Sequence, residues 1–155
     1  MSNDVIEQLY ASFARLDHAG MAACYAPDAT FSDPVFRDLR GPQVPAMWRM
    51  LCARAGDLRV TCSDVRVEND RGSARWQADY TFAKTKRPVH NVIEATFVLK
   101  DGKIVAHRDR FDLWRWTRMA LGAPGVLFGW SPPMQNKVRA EAMKGLELFM
   151  KRHHL

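Results

Sequence analysis

Two aspartates stand in apolar company. Asp33 lies in DATFSDPVF, residues 28–36, where Phe31, Asp33 and Val35 alternate along one face of a short strand. Asp109 lies in KIVAHRDRFDLW, where Val105, His107, Asp109, Phe111 and Leu113 form one alternating set. A carboxylate on a buried face is costly unless it is hydrogen-bonded or paired. Desolvation raises its pKa, and a second carboxylate nearby raises one of the two further. Such a pair can give and take protons near neutral pH, so the candidate chemistry is acid–base catalysis by Asp33 and Asp109. Local alternatives stay open. Asp33 can cap a turn before Pro34, and Asp109 can pair with Arg108 or Arg110.

The same alternation points Trp76, Tyr80 and Asn91 into the space faced by the two acids, with His107 inside it or at its rim. Together with Phe31, Phe111, Tyr10 and Trp48 they form the candidate substrate-binding set. For Tyr10 the competing reading is core packing. Glu94 falls on the opposite face, toward solvent or a subunit contact.

Positioning these residues requires helices first and strands after. Val5, Ile6, Leu9, Tyr10, Phe13 and Leu16 have helical spacing, with Asn3 or Asp4 as the cap. HAGMAACYAP reads as a second short helix that stops at Pro27. A third runs from about Pro45 to Ala55, with Met47, Trp48 and Leu51 on its apolar side. After Gly56 the period drops to two through DLRVTCSDVRVEN, SARWQADYTFAK and PVHNVIEATFVLK, with turns at NDRG and at Asp101–Gly102. KIVAHRDRFDLWRW reads as a last long strand, residues 121–133 as a loop, and about 132–150 as a final helix lined by Met134, Val138, Ala142, Leu146 and Phe149. This order argues an α+β fold: a cone-shaped, curved antiparallel sheet packed on N-terminal helices, with a C-terminal helix. The hollow end of such a cone suits a ligand.

Composition bounds the rest. The 155 residues make one domain, 1–155, and 47% hydrophobic residues supply a core. No apolar run approaches the ~18 residues of a membrane span, and no secretion signal precedes the first helix. Cys24, Cys52 and Cys62 lack metal-like spacing and read as reduced thiols of a cytoplasmic protein. With no Cys/His cluster, GxGxxG or phosphate loop, no metal and no cofactor are expected. The net charge of +6 is interleaved with acids, and its densest runs, KTKR and KRHH, read as a hairpin tip and a tail. Neither nucleic acid nor membrane is an expected partner.

The order of YAPDATFSDPVF, MWRML and TFVLKDGKIVAHRDRFDLW resembles the nuclear transport factor 2-like superfamily nearly end to end, in its SnoaL-like polyketide cyclase, ketosteroid isomerase-like and limonene epoxide hydrolase-like branches. The resemblance implies the cone fold and a homodimer. ATFSDP is similar to the isomerase stretch whose aspartate abstracts a proton, a role that maps onto Asp33. Tyr10 matches the isomerases' helical oxyanion tyrosine after a one-residue deletion, and their second oxyanion acid falls at Ala95 or Glu94. GKIVAHRDRFDL is similar to the epoxide hydrolase stretch whose aspartate joins an Asp-Arg-Asp triad, which maps onto Asp109. The other triad positions carry Trp76 and Ala78, with Arg75 and Asp79 out of register unless a bulge intervenes. The expected function is a small-molecule pocket protein performing metal-free acid–base isomerisation, cyclisation or epoxide opening on a hydrophobic oxygenated substrate. The alternative is a non-catalytic ligand-binding or protein-interaction module.

Overall fold

A computed structural model describes residues 4–155. In α1 (Asp4–Ala14), Val5, Ile6, Leu9, Tyr10 and Phe13 are buried, as their spacing requires. Asn3, one of the two expected caps, lies outside the described residues, as does the side chain of Asp4. The second helix, α2 (His18–Ala22), is shorter than expected, with Asp17 accepting from the Gly20 amide at 3.0 Å as its cap. Strand β1 (Tyr25–Ser32) begins before Pro27. Pro27 is tolerated there because the pairing of β1 with its parallel neighbour skips between Tyr25 and Thr30, where no ladder donor is needed.

After β2 (Leu39–Arg40) and α3 (Gln43–Ala53) come β3 (Arg59–Glu68), β4 (Arg71–Phe82), β5 (Arg87–Lys100) and β6 (Lys103–Arg110). The six-stranded sheet has the order β2-β1-β6-β5-β4-β3 and is antiparallel except for β1 beside β6. Asp101 and Gly102 both have positive φ, 52° and 76°, as a two-residue hairpin turn of this hand demands.

Two expectations change at the C-terminal end, and the final helix stands. The long last strand stops at Arg110, because Asp112 caps a new helix, α4 (Leu113–Leu121), by accepting from the Arg115 amide at 3.0 Å. Residues 121–133 are not all loop but contain α5 (Ala123–Phe128). The final helix, α6 (Pro132–Arg152), buries Leu146 and Phe149. It crosses the end of the cone where β1 and β4 finish. Arg139 Nε donates to the Pro34 carbonyl at 2.8 Å, and Glu141 meets Lys84 at 3.4 Å.

The concave face carries Ala74, Trp76 and Ala78 of β4 and Asn91, Ile93, Ala95 and Phe97 of β5, all buried. In β6 strict alternation fails. The ladder to β5 steps from Val98↔Ala106 to Leu99↔Ile104, so Val105 is an inserted residue. The bulge puts Ile104, rather than the expected Val105, on the face shared by His107 and Asp109. Gly72 lets α1 approach β4 closely, since a Cβ there would lie 2.6 Å from Ile6 Cδ1.

The middle of the cone is packed solid by aromatic rings. Phe13 lies 5.1 Å from Trp48 and 5.5 Å from Trp76, centroid to centroid, and Phe31 lies 5.4 Å from Trp48. Phe13→Ala should therefore cost about 3–5 kcal/mol of stability in urea unfolding. A loss under about 1 kcal/mol would mean that this centre is loosely filled.

Candidate functional site

Asp109 is 3% exposed and accepts two hydrogen bonds on one oxygen. Trp76 Nε1 donates to its Oδ1 at 3.3 Å, and His107 Nε2 lies 2.8 Å from the same atom. The other imidazole nitrogen, Nδ1, is 2.8 Å from the Tyr25 hydroxyl, which accepts from Trp48 Nε1 at 3.0 Å. An indole nitrogen can only donate, so Trp48 gives to Tyr25 and Trp76 to Asp109. With a proton on its Nε2, His107 gives to Asp109, while its Nδ1 meets the Tyr25 hydroxyl, which can donate or accept there. Among the described residues, no protein group bonds Asp109 Oδ2.

Across the sheet, Asp109 faces Ala95, which faces Ala74. These two small side chains leave room for the carboxylate and the Trp76 indole. His107, in the next inward row, lies opposite Phe97 and Phe31, and its ring centroid is 4.3 Å from that of Phe97.

Asp33 sits just past the end of β1, in the turn before Pro34. Its Oδ1 accepts from the amides of Val35 at 2.7 Å and Phe36 at 2.6 Å, and its own amide donates to the Phe36 carbonyl at 2.8 Å. The strand reading of Phe31, Asp33 and Val35 is thus corrected: the acid caps a turn. The turn also hems it in. Burial first, and then the charge of Asp109, push its pKa up to about 7 against the pull of the two amides. Its Oδ2 has no protein partner among the described residues. The two acids therefore share one electrostatic neighbourhood, each with one oxygen tied and one unengaged.

Tyr10 belongs to the same neighbourhood. Its hydroxyl is buried without a hydrogen-bond partner among the described residues, and its pKa is raised by burial and then by Asp109. Asn91 is buried on the concave face, and its side-chain amide has no protein partner among the described residues. Tyr80 and Phe111 are half-buried toward the open end, where Tyr80 accepts from Trp116 Nε1 of α4 at 2.7 Å.

Phe31, Trp48 and His107, expected to line a hollow, belong instead to the packed centre, because their ring faces are covered by one another. Arg75 pairs with Glu94 at 2.6 Å, and Asp79 with His90 at 2.5 Å, both exposed. The β4–β5 ladder runs without a bulge, so Arg75 and Asp79 are not turned inward. Ala95 faces Asp109, and Glu94 is spent on Arg75, so neither supplies a second acid.

Sequence reasoning missed Tyr25. It stands two residues before Pro27, in a stretch assigned to a helix, and its partner lies 82 positions away. A concavity of about 570 Å³ is lined by outward members of the strands, among them Thr30, Arg40, Arg71, Thr96 and Arg108, and Phe31, Phe97 and His107 of the packed centre also border it. It does not reach the free oxygens of the two acids. Among the described residues, no three His, Cys, Asp or Glu side chains are grouped to hold a metal ion. Cys24, Cys52 and Cys62 form no disulfide among the described residues.

The raised Asp33 pKa has a consequence for stability. The folded state binds this proton more tightly than the unfolded chain. Its advantage is complete below the ordinary value of 3.8 and is lost as pH rises to about 7. Asp33→Asn removes this dependence. The variant should gain on the wild type by a few kcal/mol between pH 4 and pH 8 in urea unfolding, because each pH unit between the two pKa values is worth about 1.4 kcal/mol. A difference that stays constant with pH would contradict the burial of Asp33.

The SnoaL-like domain profile matches residues 6–107, about two thirds of the chain. Among curated protein sequences, none matches significantly. Among solved structures, IdmH, described as a putative polyketide cyclase from Streptomyces antibioticus, is similar with a TM-score of 0.67 and 22% identity, over 79% of this chain and 99% of that one. An NTF2-like protein of unknown function from Burkholderia pseudomallei superposes with a TM-score of 0.66 at 18% identity, over 77% and 98% of the two chains. An LEH-like epoxide hydrolase of M. tuberculosis gives a TM-score of 0.63 at 16% identity, over 81% and 92%. At these identities the likeness is one of fold, and the fold is the NTF2-like cone. The chain belongs to the SnoaL-like domain family.

Proposed function

We propose that this protein binds a hydrophobic, oxygen-bearing small molecule at the open end of its cone and acts on it by acid–base catalysis. The observation that carries this reading is the division of labour between two carboxylates. Asp109 is held by fixed donors, whereas burial and its charge bring the neighbouring Asp33 to about 7. A carboxyl raised toward neutral pH beside a second, hydrogen-bonded carboxyl suits an acid–base role. The descriptions of two fold relatives, a putative polyketide cyclase and an LEH-like epoxide hydrolase, belong to the same class of substrates.

In this reading Asp33 Oδ2 is the general base. It takes a proton from a carbon beside a carbonyl, and the electron pair moves onto the carbonyl oxygen. Tyr10, whose raised pKa keeps its proton in place, donates a hydrogen bond to that developing oxyanion. Return of the proton to a different carbon is isomerisation, and attack of the enolate carbon on a second carbonyl is cyclisation. With an epoxide, Asp33 would instead take a proton from the water that attacks a ring carbon, the C–O bond at that carbon would break, and the ring oxygen would be protonated by Tyr10, which regains its proton from Asp33 through solvent. Trp76, Tyr80, Asn91 and Phe111 form the walls, and the working unit is a cytoplasmic homodimer.

A second reading, a ligand carrier without turnover, is favoured by the outward-facing Arg75 and Asp79, which leave the Asp-Arg-Asp triad incomplete. Turnover of a panel of polyketide-like ketones and epoxides separates the two. Asp33→Asn and Asp109→Asn, with folding checked by circular dichroism, should each lose about 10²-fold or more in kcat/KM. Wild-type kcat/KM should rise with pH through about 7, as a base with that pKa requires. Full activity in both variants would remove the catalytic assignment.

A further inference from the structure

We infer that the tip formed by α4, α5 and the turn after them docks the protein on an anionic lipid bilayer surface. Of the seven exposed large hydrophobic side chains among the described residues, five lie here: Trp114, Val126, Leu127, Phe128 and Trp130, with Leu127 61% and Trp130 60% exposed. They are contiguous, since Trp114 Nε1 donates to the Val126 carbonyl at 3.2 Å and Trp130 Nε1 to the Leu127 carbonyl at 2.9 Å. Both indole donors are therefore satisfied within the tip, so these rings can enter an apolar boundary without stranding an N–H. Gly125 and Gly129 pack against Thr117 with no space for a Cβ, which fixes α5 firmly on α4. The apolar surface is thus built into the fold and is not a frayed end.

Charge selects the occupant. Residues 113–140 contain no aspartate or glutamate but carry Arg115, Arg118 and Lys137, besides Arg139, which is engaged on the Pro34 carbonyl. Arg118 lies over the Trp114 ring at 4.5 Å, at the margin of the patch. A second copy seated by a two-fold axis would set these cations against themselves. An apolar face with a basic margin instead matches an anionic headgroup layer over acyl chains. The expectation of no membrane partner rests on the want of a spanning segment. No helix of the described residues is long and apolar enough to cross a membrane, and surface docking does not need one. The patch also lies beyond residue 107, where the family profile ends. The inference does not depend on the proposed catalysis.

Co-sedimentation with vesicles tests it, using phosphatidylcholine alone and phosphatidylcholine mixed with phosphatidylglycerol. The full chain should bind the mixed vesicles, release them at high salt, and leave the neutral ones in solution. The double variant Leu127→Asp/Phe128→Asp, altered only at exposed positions, should lose binding. Arg115→Gln/Arg118→Gln should weaken it by about tenfold or more. Absence of wild-type binding, or binding unchanged in both variants, would overturn the inference. So would a Leu127→Asp/Phe128→Asp protein that changes oligomeric state on size exclusion yet keeps its vesicle affinity, since the patch would then be a protein interface.

Discussion

Asp109 keeps its carboxylate inside an aromatic cluster, and it can do so because two sheet side chains converge on one of its oxygens. The Trp76 indole of β4 reaches it at 3.3 Å and His107 of its own strand at 2.8 Å, with His107 held in turn by Tyr25 of β1 and Tyr25 by Trp48 of α3. An isolated buried carboxylate would cost several kcal/mol, on the order of its lost hydration. With its donors in place, it becomes a fixed negative charge in a poorly solvated region. Burial first, and that charge after it, raise the pKa of Asp33 and of Tyr10. One satisfied acid thus adds to the effect of burial on two neighbours.

The backbone is arranged around that need. The inserted Val105 re-aims β6 so that Ile104 seals the core while His107 and Asp109 face inward. Ala95 and Ala74 stand in the row beside Asp109 and leave space for a carboxylate and an indole. The Asp33 turn is held from outside by α6, through Arg139 on the Pro34 carbonyl. The C-terminal helix therefore bears on the site even though it lies beyond the part of the chain that matches the family profile.

Much of this was legible from residue pattern, for physical reasons that also mark where legibility ends. Period-two runs located β3 to β5 and their inward faces, because one side of each strand is buried and a one-residue slip would expose it. Asp33 was open to two readings, turn cap or inward acid, and it is both. One oxygen takes the turn amides and the other has no partner among the described residues. The hollow expected beside Phe31 is filled, because alternation reports which way a side chain points but not what meets it there. DLWRW suits a strand as well as a helix, and the signal that decides it is Asp112, whose carboxylate captures the Arg115 amide. The Tyr25–His107 contact joins residues 82 positions apart, and no local pattern encodes it.

The central claim is that Asp109 tunes Asp33. Carbon-detected NMR titration of the Asp33 carboxyl, in the wild type and in Asp109→Asn, measures that coupling directly. The account predicts a midpoint near 7 in the wild type and a clear fall toward ordinary carboxyl values in the variant, with the remaining elevation due to burial. A wild-type midpoint near the ordinary 3.8, or one that does not move when Asp109 loses its charge, would contradict it.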